Sequence, residues 1–244
     1  MTKNASNDDQ RLIHVQAEFD SLADEYRHVH EKNIAVTGES PEYFSEYKIA
    51  DLAQSVNDRA CQKLRILDFG SGIGNSIPYF RKYFPDSELT CADVSARSIE
   101  IAQSRFPGAE NYVKIDEVIP LPTNSYDIIF SACVFHHIPH DQHTYWLGEL
   151  SRIAKSNGTL AIYEHNPLNP LTVRAVNTCP LDVNAKLIVA KQMKSTILQS
   201  GWRQAEVAYK VFFPSMLARM RGLERRLEWL AFGAQYRVLA RRAL

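Results

Sequence analysis

Residues 64–74 read Leu64-Arg65-Ile66-Leu67-Asp68-Phe69-Gly70-Ser71-Gly72-Ile73-Gly74. The apolar run is too short for a helix and reads as a buried strand. An Asp near its end runs into three glycines at alternate positions. Asn75-Ser76-Ile77-Pro78 follows, where Asn75 or Ser76 can cap a helix and Pro78 suits its first turn. Strand, glycine turn and helix start together let a backbone approach a polar ligand closely. Gly70 and Gly72 carry no Cβ to obstruct it, and glycine tolerates positive φ. The dinucleotide fingerprint G-x-G-x-x-G needs its third glycine one place later, where this chain has Asn75. That speaks against a pyrophosphate site. Asp68, just ahead of the glycines, suits a ligand with a cationic end.

Glu88-Leu89-Thr90-Cys91-Ala92-Asp93 reads as a second strand ending in an acid. A carboxylate at that place in a βαβ unit can accept hydrogen bonds from both hydroxyls of a ribose. Further along, the pattern predicts strands at 64–69, 88–93, 111–115, 126–132, 158–164, 203–212 and 234–241, with helices between the first five. Such alternation implies an α/β fold with a doubly wound, mostly parallel sheet and helices on both faces. Ahead of it, Ser40 and Pro41 open a helix to about Val56. Leu12, Val15, Phe19, Leu22, Tyr26 and Val29 form one stripe of an amphipathic helix further upstream. The chain thus divides into a disordered tail at 1–10, a helical N-terminal lid at 11–60 and a core at 61–244. A helical insertion is expected at 214–232. There Met216, Met220, Leu223, Leu227 and Leu230 recur at helical spacing and read as core-facing, while Arg219, Arg221, Arg225 and Arg226 read as a solvated face. Peripheral membrane contact through 219–226 is the sharper alternative. Tyr43, Tyr47 and Lys48, on the helix that Ser40 and Pro41 open, are candidates for a pocket wall, with a solvated charge the favoured reading of Lys48.

With 244 residues the chain can bury a sizeable core. The formal net charge is zero, so no global field draws in nucleic acid or membrane. Residues 1–60 carry 6 Lys/Arg against 12 Asp/Glu, and residues 201–244 carry 9 against 3, which reads as two ends offsetting one another. Cys61, Cys91, Cys133 and Cys179 are widely spaced with no C-x-x-C, which fits a reducing cytosol. The start is polar and lacks a signal-peptide core, and no apolar run approaches the ~18 residues of a membrane span. A cytoplasmic protein with no integral membrane segment is expected. Oligomeric state is not readable.

Asp68, the Gly70-x-Gly72-x-Gly74 turn and Asp93, with Ser125–Phe130, Phe135-His136-His137-Ile138, Leu150–Lys155 and Gly158–Ile162, resemble the class I S-adenosylmethionine-dependent methyltransferases. The match runs from about residue 60 to about 165. It implies a Rossmann-like seven-stranded sheet whose last strand is antiparallel, and S-adenosylmethionine as cofactor. By this resemblance Asp68 sits near the cofactor's methionine end, and Gly70, Ser71 and Gly72 line it with backbone. Asp93 takes the ribose and Val94 the adenine face. Asp116 receives the adenine amino group, with Ile115 the competing register, and Tyr26 closes over the cofactor.

Substrate chemistry belongs after the fourth and fifth strands, where the carboxyl ends of parallel strands open a crevice. A histidine there can take a proton from a hydroxyl. His136 is the candidate base and His137 its neighbour on the substrate side. Glu164-His165-Asn166-Pro167-Leu168-Asn169-Pro170 forms a polar loop stiffened by two prolines. Glu164 and His165 are further catalytic candidates, Asn166 and Tyr43 substrate contacts, and Asn177 to Asp182 another pocket wall. His136, His137, His140 and His143 do not match paired metal-ligand spacings, so no metal is expected.

The reading is methyl transfer to a small molecule, most of all to a hydroxyl of a metabolite, sugar or lipid-linked precursor. Nitrogen and carbon acceptors stay open. The Asn-Pro-Pro-Tyr type of signature for base methylation is absent after strand four, which reads Ser131-Ala132-Cys133-Val134. The rivals are a Rossmann oxidoreductase using NAD and a non-catalytic S-adenosylmethionine-binding protein.

Overall fold

The computed structural model describes residues 38–56 and 62–243. The tail at 1–10, the stripe from Leu12 to Val29 with Tyr26, and Cys61 lie outside the described residues.

Helix α1 (Pro41–Ser55) opens with the Ser40 hydroxyl accepting from the Tyr43 N–H at 3.3 Å and Pro41 in the first turn. Then come β1 (Arg65–Phe69), α2 (Ile77–Tyr83), β2 (Glu88–Asp93), α3 (Ala96–Arg105), β3 (Asn111–Lys114) and β4 (Tyr126–Ala132). The second half holds α4 (His143–Ile153), β5 (Ala154–His165), α5 (Pro170–Thr178), α6 (Ala190–Gln199), β6 (Trp202–Lys210), α7 (Glu224–Leu227) and β7 (Gln235–Arg242).

The seven strands form one sheet in the order β3-β2-β1-β4-β5-β7-β6. β1 to β5 pair in parallel, and β7 runs antiparallel to both β5 and β6. This is the doubly wound, mostly parallel sheet with an antiparallel last strand. Strand alternation sorts the core onto two faces. Ile66, Ile128, Phe130, Ala161 and Tyr163 pack with Ile49 and Leu52 of α1, Ile77 and Phe80 of α2, and Ala102 of α3. Leu67, Phe69, Ile129, Leu160 and Ile162 pack with Trp146, Leu147 and Leu150 of α4 and Met193 and Ile197 of α6. Burial of each such large side chain contributes about 1.5–3 kcal/mol. The winding reverses between β1 and β4, which opens a cleft at the carboxyl ends of the parallel strands.

Helix α1 is fastened to the antiparallel edge by buried charge. The Asp51 carboxylate accepts from Lys210 Nζ, Arg237 Nη1 and the Tyr163 hydroxyl, each at 2.7 Å, and Lys210 also reaches Glu228 at 2.6 Å. Buried ions at this density persist because each is paired.

Two expectations give way here. The methionine and leucine stripe after β6 is not core. Met216 is 91% exposed, and Leu217, Met220 and Leu223 are exposed as well. The segment Ser215–Leu223 is a 3-10 helix with a non-helical Leu217, so α-helical spacing does not apply to it. What the segment buries is Glu224, which accepts from the Phe212 and Phe213 N–H groups at 3.0 and 3.1 Å and from the Tyr47 hydroxyl at 3.2 Å. Lys48, in turn, is buried rather than solvated. It sits on α1 within the electrostatic reach of Cys133 and His165.

Candidate active site

The glycine turn after β1 and the end of β2 are stitched together by backbone. The Gly70 and Ser71 N–H groups donate to the Ala92 carbonyl at 2.8 and 3.1 Å. The Gly72 N–H donates to Asp93 Oδ2 at 2.7 Å and the Ser95 N–H to Oδ1 at 2.9 Å. Each Asp93 oxygen is thereby oriented. Gly70 and Gly72 have φ of +78° and +52°. They differ in what surrounds them. A Cβ on Gly70 would lie 2.3 Å from Val134 Cγ2, so its bareness lets the turn pack on the segment after β4. A Cβ on Gly72 would meet nothing within 4 Å, so this backbone borders open space.

Two polar groups in the turn lack the satisfaction the interior normally supplies. Ser71 Oγ is buried with no hydrogen-bond partner. Asp68 is buried, and burial raises its carboxyl to about 7. The Asp93 charge adds to the rise, while the hydrogen bond donated by the Ser76 hydroxyl opposes it. Ser76 stands at the N-cap of α2 but spends its hydroxyl on Asp68 instead of capping the helix. An open backbone cradle, a hydroxyl without a partner and a buried carboxyl suit a nucleoside that carries a cationic amino-acid end.

Beyond β3, Ile115 is buried and its N–H donates to the Asp93 carbonyl at 2.8 Å. The Asp116 side chain is 69% exposed and paired with Lys114 at 2.5 Å. Val94 packs partly buried against the core.

The other wall grows from β4 and β5. Cys133 takes φ +59°, unusual for a residue with a side chain, and turns the chain into the 3-10 turn Phe135–His137. That reversal presents two N–H groups to Glu164 near the end of β5. Glu164 Oε1 accepts from Val134 and Phe135 at 3.0 and 2.7 Å, and Oε2 meets His136 Nδ1 at 2.6 Å. Glu164 and His136 are each 1% exposed. His136 Nε2 is buried without a hydrogen-bond partner and points at Asp182 Oδ1, 3.4 Å away. His137 Nε2 lies 3.5 Å from the same oxygen. The His165 ring centre is 5.3 Å from that of His136. The Lys186 N–H donates to the His136 carbonyl at 2.8 Å, tying the Asp182 loop to the turn.

The electrostatics of this cluster divide its histidines. Burial works against a charge on His136, but Glu164 and Asp182 outweigh it and raise the group to about 10. Burial would raise both acids, yet the His136 charge holds Glu164 low and Asp182 at about 2. His137 and His165 are lowered to about 4, first by burial and then by the His136 charge. Two neutral imidazoles therefore flank a protonated one.

The remaining candidates hold other positions. Asn166 is fully buried, with its amide donating to the Ala231 and Gly233 carbonyls at 3.0 and 2.8 Å and its Oδ1 accepting from Leu168. It braces the loop after β5. Tyr43 lies beneath Arg221, whose guanidinium carbon is 4.5 Å from the ring centre. His143 spends Nε2 on the Phe135 and Ile138 carbonyls at 2.9 Å each, and His140 Nε2 meets the Lys186 carbonyl at 3.3 Å. From the sequence, Asp182 stands out only as the end of a polar loop, and Lys48 as a candidate pocket wall for which a solvated charge is the favoured alternative.

Residues 67–162 match the family model described as a methyltransferase domain. They carry the fold of the class I, S-adenosylmethionine-dependent methyltransferases. Among curated proteins, the chain is 29% identical over 98 residues to a trans-aconitate 2-methyltransferase of Rhodopseudomonas palustris, covering 40% of the chain and 37% of the relative. It is 28% identical over 122 residues to a demethylmenaquinone methyltransferase of Thermotoga maritima, covering half of each. The chain thus spans half or less of the length of these relatives. Among solved structures, a SAM-dependent methyltransferase from Archaeoglobus fulgidus superimposes with a TM-score of 0.64 at 15% identity, over 83% of this chain and 95% of that one, which shows the shared fold.

Proposed function

We propose that this protein transfers the methyl group of S-adenosylmethionine to a small-molecule acceptor, at a hydroxyl oxygen. One observation carries the reading. A bare, positive-φ backbone at Gly72, bonded to the oriented Asp93 carboxylate, belongs to a glycine turn that packs through Gly70 on Val134, whose N–H donates to Glu164 of the buried Glu164–His136–Asp182 cluster. The first half suits a nucleoside with a cationic amino-acid end. The second suits the acceptor. When bound, the cofactor supplies a methyl group already activated on a positively charged sulfur.

The chain's own residues then do three things. Asp68, Ser71, Gly72 and Asp93 hold and orient the cofactor, with Val94 on the adenine side and Tyr26 assigned to closure. Asp116 stands at the adenine end, where its exposed carboxylate has to exchange Lys114 for a base. Glu164 and His136 fix the acceptor side, because each polar atom of Glu164 is already committed. Holding acceptor and methyl in line contributes on the order of 7–11 kcal/mol in the best cases.

The acceptor's proton needs a base that is unprotonated at neutral pH. His136 keeps its proton between two carboxylates, so its part is positioning and charge. His165, neutral and only partly covered, is the acceptor of that proton, with His137 beside it on the substrate side. Buried Lys48 adds a cation near His165, which favours an acceptor with an anionic group close to its hydroxyl.

The named substrates of the two relatives are small molecules, which supports this acceptor class. Among the described residues no helix is long and apolar enough to cross a membrane. Cys91, Cys133 and Cys179 are free thiols, which supports a reducing, cytoplasmic setting.

The test pairs calorimetric titration of S-adenosylhomocysteine with a labelled-methyl screen of metabolite and glycolipid extracts. Binding together with a small-molecule product whose label survives mild base supports an ether and hence a hydroxyl acceptor. A base-labile ester or an amine product moves the acceptor atom. Binding of NADH in place of the nucleoside removes the reading altogether.

A further inference from the structure

We propose that His136, His137 and Asp182 form a site for a divalent transition-metal ion, with zinc or cobalt as suitable probes. The sequence argues against a metal from the spacing of His136, His137, His140 and His143. The fold breaks up that set. His140 and His143 turn their Nε2 atoms to backbone carbonyls. In their place stands Asp182, delivered by the 3-10 turn Pro180–Asp182.

Distances separate a metal site from a hydrogen-bonded cluster. A charge-assisted N–H···O bond closes to about 2.7–2.9 Å. Here Asp182 Oδ1 is 3.4 Å from His136 Nε2 and 3.5 Å from His137 Nε2. Four ligands at about 2.0–2.1 Å from a tetrahedral ion lie about 3.3–3.4 Å from one another. The gaps are long for a shared proton and right for a shared ion. One ligand atom from each of the three residues falls within 4.8 Å of the others.

The surroundings point the same way. His136 Nε2 is a buried nitrogen with no hydrogen-bond partner, aimed into the group. Its other nitrogen is held by Glu164 at 2.6 Å, and Glu164 is itself held by the Val134 and Phe135 N–H groups. Metal-ligating histidines are characteristically oriented by such a carboxylate, which leaves Nε2 as the coordinating atom, and an ion bound there displaces the proton that His136 holds at Nε2 in its absence. Imidazole and carboxylate together suit zinc, iron, cobalt and manganese. Three protein ligands leave a position open, as at catalytic rather than structural sites.

This deepens the methyl-transfer reading and rests on it for what fills the open position. The acceptor's hydroxyl oxygen binds there, and the ion lowers its pKa. The proton passes to His165. The oxygen's electron pair then forms the bond to the methyl carbon as the carbon–sulfur pair returns to sulfur.

The experiment uses the full chain, stripped with chelator and titrated with Co²⁺. The expected result is one equivalent bound, with the visible absorption of a low-coordinate site, competed by Zn²⁺. Asp182→Ala and His137→Gln should each reduce Co²⁺ binding at least 100-fold while melting as the stripped wild type does and still binding S-adenosylhomocysteine. Glu164→Gln should weaken it about 10–100-fold, since it only orients a ligand. Wild-type protein that takes up no stoichiometric Co²⁺ overturns the site, as does binding that survives both ligand substitutions. Methyl transfer that persists in chelator alongside either result removes the metal and leaves the methyltransferase reading standing. Failure to bind S-adenosylhomocysteine would sink that reading instead, whatever the metal result.

Discussion

Asp68→Asn takes away a charge that the fold resists and the proposed cofactor requires. Burial raises the Asp68 carboxyl from 3.8 to about 7. At 1.36 kcal/mol per pKa unit, ionising it in the folded chain costs up to about 4 kcal/mol. The folded state therefore holds a proton that the unfolded state releases. Wild-type stability is least affected below pH 4, declines from about pH 4 to 7, and carries the full cost above that. Asparagine carries no such cost and can still accept from Ser76. At about 2–4 °C per kcal/mol for a chain of this size, the variant should melt on the order of 10 °C above wild type at pH 8, and close to it at pH 4. Cofactor affinity should move the other way. A hydrogen bond to a charged group contributes about 1.5–3 kcal/mol, so S-adenosylhomocysteine should bind roughly 10–100-fold more weakly. Scanning calorimetry at the two pH values and isothermal titration at pH 8 provide both readings. A variant no more stable at pH 8 than at pH 4, relative to wild type, refutes the burial argument. One that binds the nucleoside as wild type does refutes the placement of its cationic end.

Gly72→Ala should fold, because its Cβ enters open space, at a cost of about 1–2 kcal/mol for the positive φ. It should nevertheless lose nucleoside binding by titration, whereas Gly70→Ala should fail in thermal melts because its Cβ meets Val134. His165→Ala should lower turnover on an identified acceptor about 10²–10⁴-fold with S-adenosylhomocysteine affinity unchanged, as single-turnover assays would show. Asp51→Ala should destabilise by about 3–5 kcal/mol in urea unfolding, since it leaves Lys210 and Arg237 buried beside a missing partner. Arg237 and Lys210 substituted by Met in the same background should recover part of that loss.

The parallel half of the sheet was readable because each strand announces itself locally. Ile66-Leu67 and Ile128-Ile129-Phe130 are apolar on both faces, and β1 ends at a glycine. Ser40, Ser95 and Asn169 cap their helices by rules that act within three residues. What escaped depends on distant partners. Asp182 matters because the chain returns to His136 after 46 residues, and no periodicity encodes that return. Lys48 is buried because α1 lies on the sheet, a placement that its residue type alone argues against. The stripe from Met216 misled because a 3-10 segment turns by a different angle per residue, and because one buried acid, Glu224, sets its orientation. At the carboxyl ends of β1 and β2, the motif located the glycine turn and Asp93, which the fold brings into hydrogen-bond contact. The exact register after β3, where Ile115 is buried and Asp116 exposed, was not.

The reversal of strand order between β1 and β4 also has a genetic meaning. Everything proposed to grip the methyl donor within the described chain, apart from Asp116, lies in residues 68–95. Apart from Lys48, the acceptor-facing groups from His136 to Asp182 occupy a later, separate stretch. Donor and recipient are thus encoded in tandem, and exchanging only the second stretch between such chains would redirect the methyl while its source stays the same.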